Sequence, residues 1–336
     1  MPVDKSLAII FTLIIRVKNS LNIKAQPDAD GDAAPRSNPG RNRSTQTSPI
    51  SSKQEDLALA QNNGAFSVTP TLAFAGSIIA AGLWFAALVA LPGLQRSGLS
   101  VVVARIAVHL ILLSGTWAGL ARTSLTASER AWTWLAIAVP LTLWHGVAWA
   151  IVADGLLLPG ATTIPLLPVM IIVPTAVVIT LLGRSRRIGT LLDAMPATWL
   201  IGVQFYRVIG AVFLANWLAG AMPGVFALPA GIGDVITGLM ALPTAVMLAS
   251  GRPDSPRAAL LWNLFGTTDL IVALAMGALT TPGPFQHLAI DHPNLTIAAY
   301  PIGIIPAFTV PSSLVLHALS VRQLLRCRRP AAAIAA

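Results

Sequence analysis

The chain is nearly without cysteine: Cys327 stands alone among 336 residues. One thiol closes no disulfide within the chain and supplies no CxxC redox or metal site. It lies among Arg326, Arg328 and Arg329 and reads as a free thiol without a role. Charge is scarce too, at 10% of residues against 55% hydrophobic ones, with a mean hydropathy of +0.72. A soluble protein of this length needs far more charge to cover its surface. Acidic residues are the rarer sign, 13 against 22 Lys and Arg, which leaves a formal charge of +9. The basic residues form no single patch; they sit in the N-terminal tail, in short loops and near the C-terminus. That distribution excludes a nucleic-acid face and matches the cytoplasmic bias of membrane proteins. Neither HxxxH nor HExxH occurs, and the five histidines are dispersed, so no metal or other cofactor is expected.

What the chain has in abundance is long apolar runs, each about long enough to cross a bilayer as a helix. Eight are expected, at Pro70–Leu94, Val101–Leu120, Ala131–Val152, Ile164–Leu182, Ala197–Ala219, Ile232–Leu248, Leu260–Leu279 and Tyr300–Ser320, the short sixth one extended by the apolar approach Val225–Ala230. They are continuously apolar rather than alternating, so the fold class is all-α, a polytopic transmembrane helix bundle, and not a β-barrel. The loops orient it. Arg184, Arg186 and Arg187 follow the fourth run, Arg252 and Arg257 the sixth, and Arg322, Arg326, Arg328 and Arg329 the eighth, while Arg122 and Arg130 flank the loop after the second. The loops after the third, fifth and seventh carry no Lys or Arg, and Arg96 in the first outer loop is the one dissenter. The positive-inside rule then places both termini in the cytoplasm. Trp132, Trp134, Trp199, Trp217 and Trp262 fall near run ends, as interfacial aromatics do.

Residues 1–69 form an N-terminal extension. Its Gln26–Gln54 stretch is rich in Asp, Pro, Ser, Asn and Gly, and such a composition predicts disorder. Ser6–Ile15 is apolar but short, and it reads as a surface-lying segment with a signal peptide as the alternative. Residues 70–325 are the helical domain and 326–336 a basic and apolar C-terminal tail.

Several motifs in the second half carry a resemblance. They are Trp199-Leu200-Ile201-Gly202 with Gln204, Tyr206, Arg207, Val208 and Gly210, then the run Met222 to Asp234, then Trp262 to Gly266 with Asp269. Leu316-His317 with Ser320, Val321, Arg322, Gln323 and Leu324 completes them. Over Ala131 to Leu325 the chain resembles a family of functionally uncharacterised bacterial integral membrane proteins. The resemblance implies a bacterial inner-membrane location and a shared six-helix core; it implies no activity.

The ionisable groups inside the apolar runs carry what can be read of function. Arg207 sits about 10 residues into the fifth run, near mid-bilayer at about 1.5 Å per residue. A central Arg costs roughly 2.5–3.5 kcal/mol to insert on translocon scales, so it needs a partner. Asp269 lies at a matching depth in the seventh run, which predicts an Arg207–Asp269 ion pair. Gln204, one turn earlier, is expected to complete the hydrogen bonding. Asp234, in Gly231-Ile232-Gly233-Asp234 at the expected outer start of the sixth run, and His317, near the inner end of the eighth, are weaker candidates. The GxGD pattern matches that of intramembrane aspartyl proteases, which need two carboxylates sharing a proton. Here Asp269 is expected about 10 Å deeper than Asp234 and follows the motif instead of preceding it. His109 and His145 support haem ligation by nothing more than their presence. Gly115 and Gly119 form a GxxxG pair that marks close helix packing. Pro301, Pro306 and Pro311 predict a bend in the eighth run.

Three readings follow. The first is binding or transport of a small solute or proton through a cavity near Arg207, Asp269 and Gln204. The second is a structural or partner-binding subunit in the bilayer, where the charges only fix helix register, and the third is the protease. An enzyme is the less favoured class.

Overall fold

The computed structural model describes residues 68–91, 93 and 98–333, with side chains described as far as Arg326. The N-terminal extension, the Cys327 side chain and Arg96 lie outside them. The described residues are helical with no β-strand. In chain order the helices are α1 (Pro70–Ala90), α2 (Leu99–Leu120), α3 (Ala127–Ala153), α4 (Leu166–Arg184) and α5 (Arg186–Ala194). Next come α6 (Ala197–Gly202), a 3₁₀ stretch over Val203–Gly210, α7 (Ala211–Leu218), α8 (Gly224–Ala249) and α9 (Ser255–Thr280). A π-helical turn, Ile305–Thr309, leads into α10 (Val310–Ala333).

Local chemistry starts these helices where it should. The Thr69 hydroxyl accepts from Leu72 N–H at 3.2 Å ahead of Pro70, and Thr126 with Glu129 forms a reciprocal capping box at the start of α3. Ser185 caps α5 by accepting from Ile188 N–H at 3.3 Å. This short helix is absent from the expected series of runs. Its signal was amphipathic: Ile188, Leu191, Leu192 and Met195 follow an i, i+3, i+4, i+7 pattern and are all buried.

Seven helical stretches are long and apolar enough to cross a membrane: α1, α2, α3, α4, the composite Ala197–Leu218, α8 and α9. Their outward faces carry Leu83, Leu143, Ile172, Leu181, Leu261 and Leu264, each more than 60% exposed. A belt of that kind in water would be an aggregation surface, and in lipid it is in its own medium. The eighth expected run differs for a physical reason. Residues 300–303 form turns, and the helix that follows is enclosed by its neighbours and carries polar side chains that a lipid-facing helix would not tolerate. It still runs the length of the bundle. Pro301 packs on Gly98 at the start of α2, where φ is +62° and a Cβ would collide with the proline ring. At the other end Gln323 Nε2 donates to the carbonyls of Leu192 and Met195, the latter at 2.7 Å, and Arg322 donates to Leu182 O at 2.8 Å.

Two expected features move. The sixth run begins eight residues earlier than Ile232, because Gly224–Ala230 is already helix, and this shifts Asp234 from the helix start to its interior. Trp262 is buried in the bundle and lies away from the end of its helix. Because α9 begins at Ser255, the ring lies two turns inside, 6% exposed, and donates to Thr237 O at 3.0 Å. The GxxxG pair packs closely as read: a Cβ at Gly115 would enter the Trp199 ring and one at Gly119 the Met195 side chain. The proline-rich eighth run is not one continuous α-helix: turns at 300–303 and a π turn that contains Pro306 precede α10.

Candidate functional site: a buried ion cluster

Arg207 sits in the 3₁₀ stretch, 3% exposed, and every nitrogen of its guanidinium is bonded. Nε donates to Asp234 Oδ1 at 2.7 Å, and Nη2 reaches the same oxygen at 2.6 Å. Nη2 also donates to Asp269 Oδ2. Nη1 donates to Gly266 O at 3.1 Å and to His317 Nε2 at 3.2 Å. A guanidinium has no acceptor, so His317 Nε2 must carry a lone pair and its proton sits on Nδ1. That Nδ1–H donates to Asn263 Oδ1 at 2.9 Å, and Asn263 Nδ2 passes the chain on to Ser320 Oγ at 3.0 Å. Trp262 flanks the imidazole with ring centroids 5.0 Å apart.

Glycines make the room for this cluster. A Cβ at Gly210 would run into Asp234, one at Gly233 into Asp269, and one at Gly266 into His317. Each functional side chain therefore occupies a notch in a neighbouring helix that a larger residue would fill. The first and third residues of the GxGD motif are explained in the same way. Gly231 lies against Leu214 and Gly233 opens the space that Asp269 occupies. The motif is a packing device between helices.

Of the residues expected at the site, the structure brings Arg207, Asp269, Asp234 and His317 together and leaves Gln204 apart. Long helical side chains lean toward the N-terminus of their helix. Gln204 is fully buried and its Nε2 donates back to Leu200 O at 3.3 Å, away from the carboxylates. The second partner of Arg207 is Asp234 instead, ten residues into α8 and level with Asp269. The two carboxylates are brought close, as an aspartyl protease requires, but both bond Nη2 of Arg207. The guanidinium holds the place where a shared proton and an attacking water would have to be, and the geometry gives that reading no support.

The cluster borders a cavity of about 10 Å³, with room for about one water molecule. Tyr206, Arg207 and Gly210 of the 3₁₀ stretch, Asp234 of α8, Ile305 and Thr309 of the π turn, Ser313 of α10 and Arg105 of α2 line it. A 3₁₀ turn is narrower than an α turn and a π turn is wider, so the two do not mesh as α-helices would. Sequence reasoning missed most of this set. One signal was available: Thr309, Ser313, His317, Ser320 and Gln323 recur at steps of four, four, three and three. That spacing places them on one face of a helix, and all five are buried. Arg105 was visible only as a charge one turn from His109.

His109 and His145 are in contact, with ring centroids 4.7 Å apart, and Phe308 stacks on His145 at 4.3 Å. No porphyrin fits between rings so close. His109 Nε2 is bonded to Thr142 Oγ1 at 3.1 Å. Among the described residues no group of three or more His, Cys, Asp or Glu side chains is placed to hold a metal ion.

The fold and the site define a class: a multi-pass helical bundle with helices apolar enough for a membrane and an ion cluster buried in its interior. Residues 164–325 match the model of a domain of unknown function, DUF8737. The match spans every residue of the cluster and begins at α4, so α1, α2 and α3 lie outside it. No curated protein and no solved structure matches the chain.

Proposed function

We propose that this is an integral membrane protein that binds a proton or small solute at the Arg207 cluster. One observation carries the reading: two carboxylates, Asp234 and Asp269, share a single guanidinium, which leaves the contact cluster one negative charge in excess. An intramembrane charge is costly and marks a functional site by default. An excess carboxylate beside a water-sized cavity is the arrangement that takes up a cation. The bilayer is then the protein's medium. The arginine distribution supports both termini on the cytoplasmic side, and the resemblance over Ala131 to Leu325 supports a bacterial inner membrane. Arg322 and Arg326 of α10 meet Leu182 and Asp193 at the arginine-rich end of α4 and α5, which supports one common side for those loops.

Trp262 lies against His317 and reports on the cluster. In detergent or nanodiscs, the fluorescence difference between the wild type and Trp262→Phe should titrate with pH, and Asp269→Asn should abolish that titration. A second reading has an observation in its favour. The guanidinium is fully bonded and the cavity very small, as in a charge network that only locks helices in register. A wild-type signal flat across pH would select it.

A further inference from the structure

The hydrogen bonding of the cluster is complete on the side of His317, Asn263 and Ser320. On the opposite side Asp234 and Arg207 face the cavity, whose remaining polar walls are of two kinds. Tyr206 and Ser313 join their hydroxyls at 2.7 Å, and Thr309 Oγ1 is buried with no protein partner. Arg105 is 1% exposed, lies 6.0 Å from the Tyr206 ring centroid, and has Nε and Nη1 without partners. Buried polar groups are nearly always satisfied, and a space of this size with several donors and acceptors around it suits a single water.

We propose that the cation taken by the cluster is a proton, and that it reaches Asp234 through this cavity by way of the Thr309, Ser313 and Tyr206 hydroxyls and one water. The inference rests on the reading of the cluster as a binding site and names its ligand and route. Size decides against an organic solute or a hydrated metal ion, since about 10 Å³ admits neither. Arg105 on the cavity wall opposes any added positive charge, and the donor set decides against a bare metal ion: one carboxylate already bonded to Arg207 and three hydroxyls are too few oxygens to replace a metal ion's water shell. A proton ends on the Asp234 carboxylate and leaves no ion in the cavity itself. Each hydroxyl accepts a proton on a lone pair and releases its own, and the last proton adds to a carboxylate oxygen of Asp234. Arg207 keeps Asp269 as its counter-ion, so the contact cluster passes from one net negative charge to none and no covalent bond breaks.

The groups facing Asp234 are few. Arg207 and Tyr206 come from the 3₁₀ stretch, Asp269 from α9 and Arg105 from α2, with His317 of α10 beyond Arg207. The other elements packed on α8, namely α1, α6 and α7, carry no titratable side chain.

The test separates route from binding. In nanodiscs, the Trp262-dependent signal is followed at equilibrium and after a stopped-flow pH jump, with sodium replaced by choline in a parallel series. Thr309→Val with Ser313→Ala should slow proton uptake about tenfold or more, far more than it moves the equilibrium midpoint. Thr309→Ser, which keeps the hydroxyl, should retain the wild-type rate, and sodium should leave the midpoint unchanged. An uptake rate unaffected by the double substitution overturns the route while binding stands. A midpoint that follows sodium overturns the proton as ligand. A wild-type protein with no titration overturns the binding reading and the route together.

Discussion

The charge count of the cluster makes an unusual demand on its variants. Neutralising either carboxylate should be mild, and neutralising both should be severe. Asp269→Asn leaves Arg207 with Asp234, whose Oδ1 accepts from Nε at 2.7 Å and Nη2 at 2.6 Å, a compact neutral pair. Asp234→Asn leaves Arg207 with Asp269, equally balanced. Each single change costs about 1–2 kcal/mol, the typical loss of one buried hydrogen-bonded partner that an amide partly replaces. The double variant leaves a guanidinium 3% exposed with neutral partners alone, Gly266 O, His317 and the two amides. An uncompensated buried charge typically costs about 3–5 kcal/mol on top of the lost contacts. The double variant should therefore lose about 5 kcal/mol or more, well beyond the sum of the singles, a coupling of the kind that residues in one network show. Adding Arg207→Met to it should recover much of the loss. The assay is equilibrium unfolding in mixed micelles, read by circular dichroism. Additive losses in the double variant, or a single carboxylate variant as unstable as Arg207→Met alone, would refute the shared-guanidinium account.

The glycine notches predict that Gly233→Ala and Gly266→Ala each destabilise by about 1–3 kcal/mol through overpacking, whereas Gly146→Ala, with nothing within 4 Å, gains about 0.5–1 kcal/mol of helix propensity; thermal melts of the three in one detergent decide. Gln323 of α10 holds the Leu192 and Met195 carbonyls at the end of α5, so Gln323→Ala should loosen that helix and speed hydrogen exchange across residues 186–194 while leaving α8 protected. For orientation, in a Cys327→Ser background, Asp291→Cys should label with an impermeant reagent from outside and Thr190→Cys should not; the opposite pattern would reverse the bundle. Deleting residues 1–63 should leave a protein that still inserts, because their composition offers little apolar surface to pack; loss of insertion would make the short apolar segment Ser6–Ile15 a targeting signal.

The helical class and most run boundaries were legible because lipid imposes a strong, local rule. A backbone in hydrocarbon must bond itself, so spans read as continuous apolar stretches. α2 and α9 appear within a few residues of their expected limits. The rule fails where a helix is enclosed by protein instead of lipid. The π turn and α10 together carry Thr309, Ser313, His317, Ser320 and Gln323 on one buried face, so the apolarity of α10 fell below that of a span while its pattern of polar residues held the information. The same applies to α5, a nine-residue amphipathic helix with no apolar run to announce it.

The site was half legible, and the missing half turns on one helix start. Depth was counted from the expected beginning of the run at Ile232, and from there Asp234 lies at the membrane surface, out of reach of Arg207. The helix in fact begins at Gly224, and ten residues at about 1.5 Å each carry Asp234 about 15 Å inward. Pro229 lies five residues inside it, a position that reads from sequence as a break. What the proline obscured, the glycines encoded. Gly231 and Gly233 alternate toward Leu214 and Asp269, and Gly210 and Gly266 repeat the device on the neighbouring elements. An apolar-run aspartate one position after a glycine in α8 and another three positions after a glycine in α9, set against Arg207, are the sequence trace of a carboxylate pair closing on a shared guanidinium. Arg105 left no such trace. Its burial depends on the distant π turn at Ile305–Thr309 and on the Tyr206 ring, and both are tertiary facts.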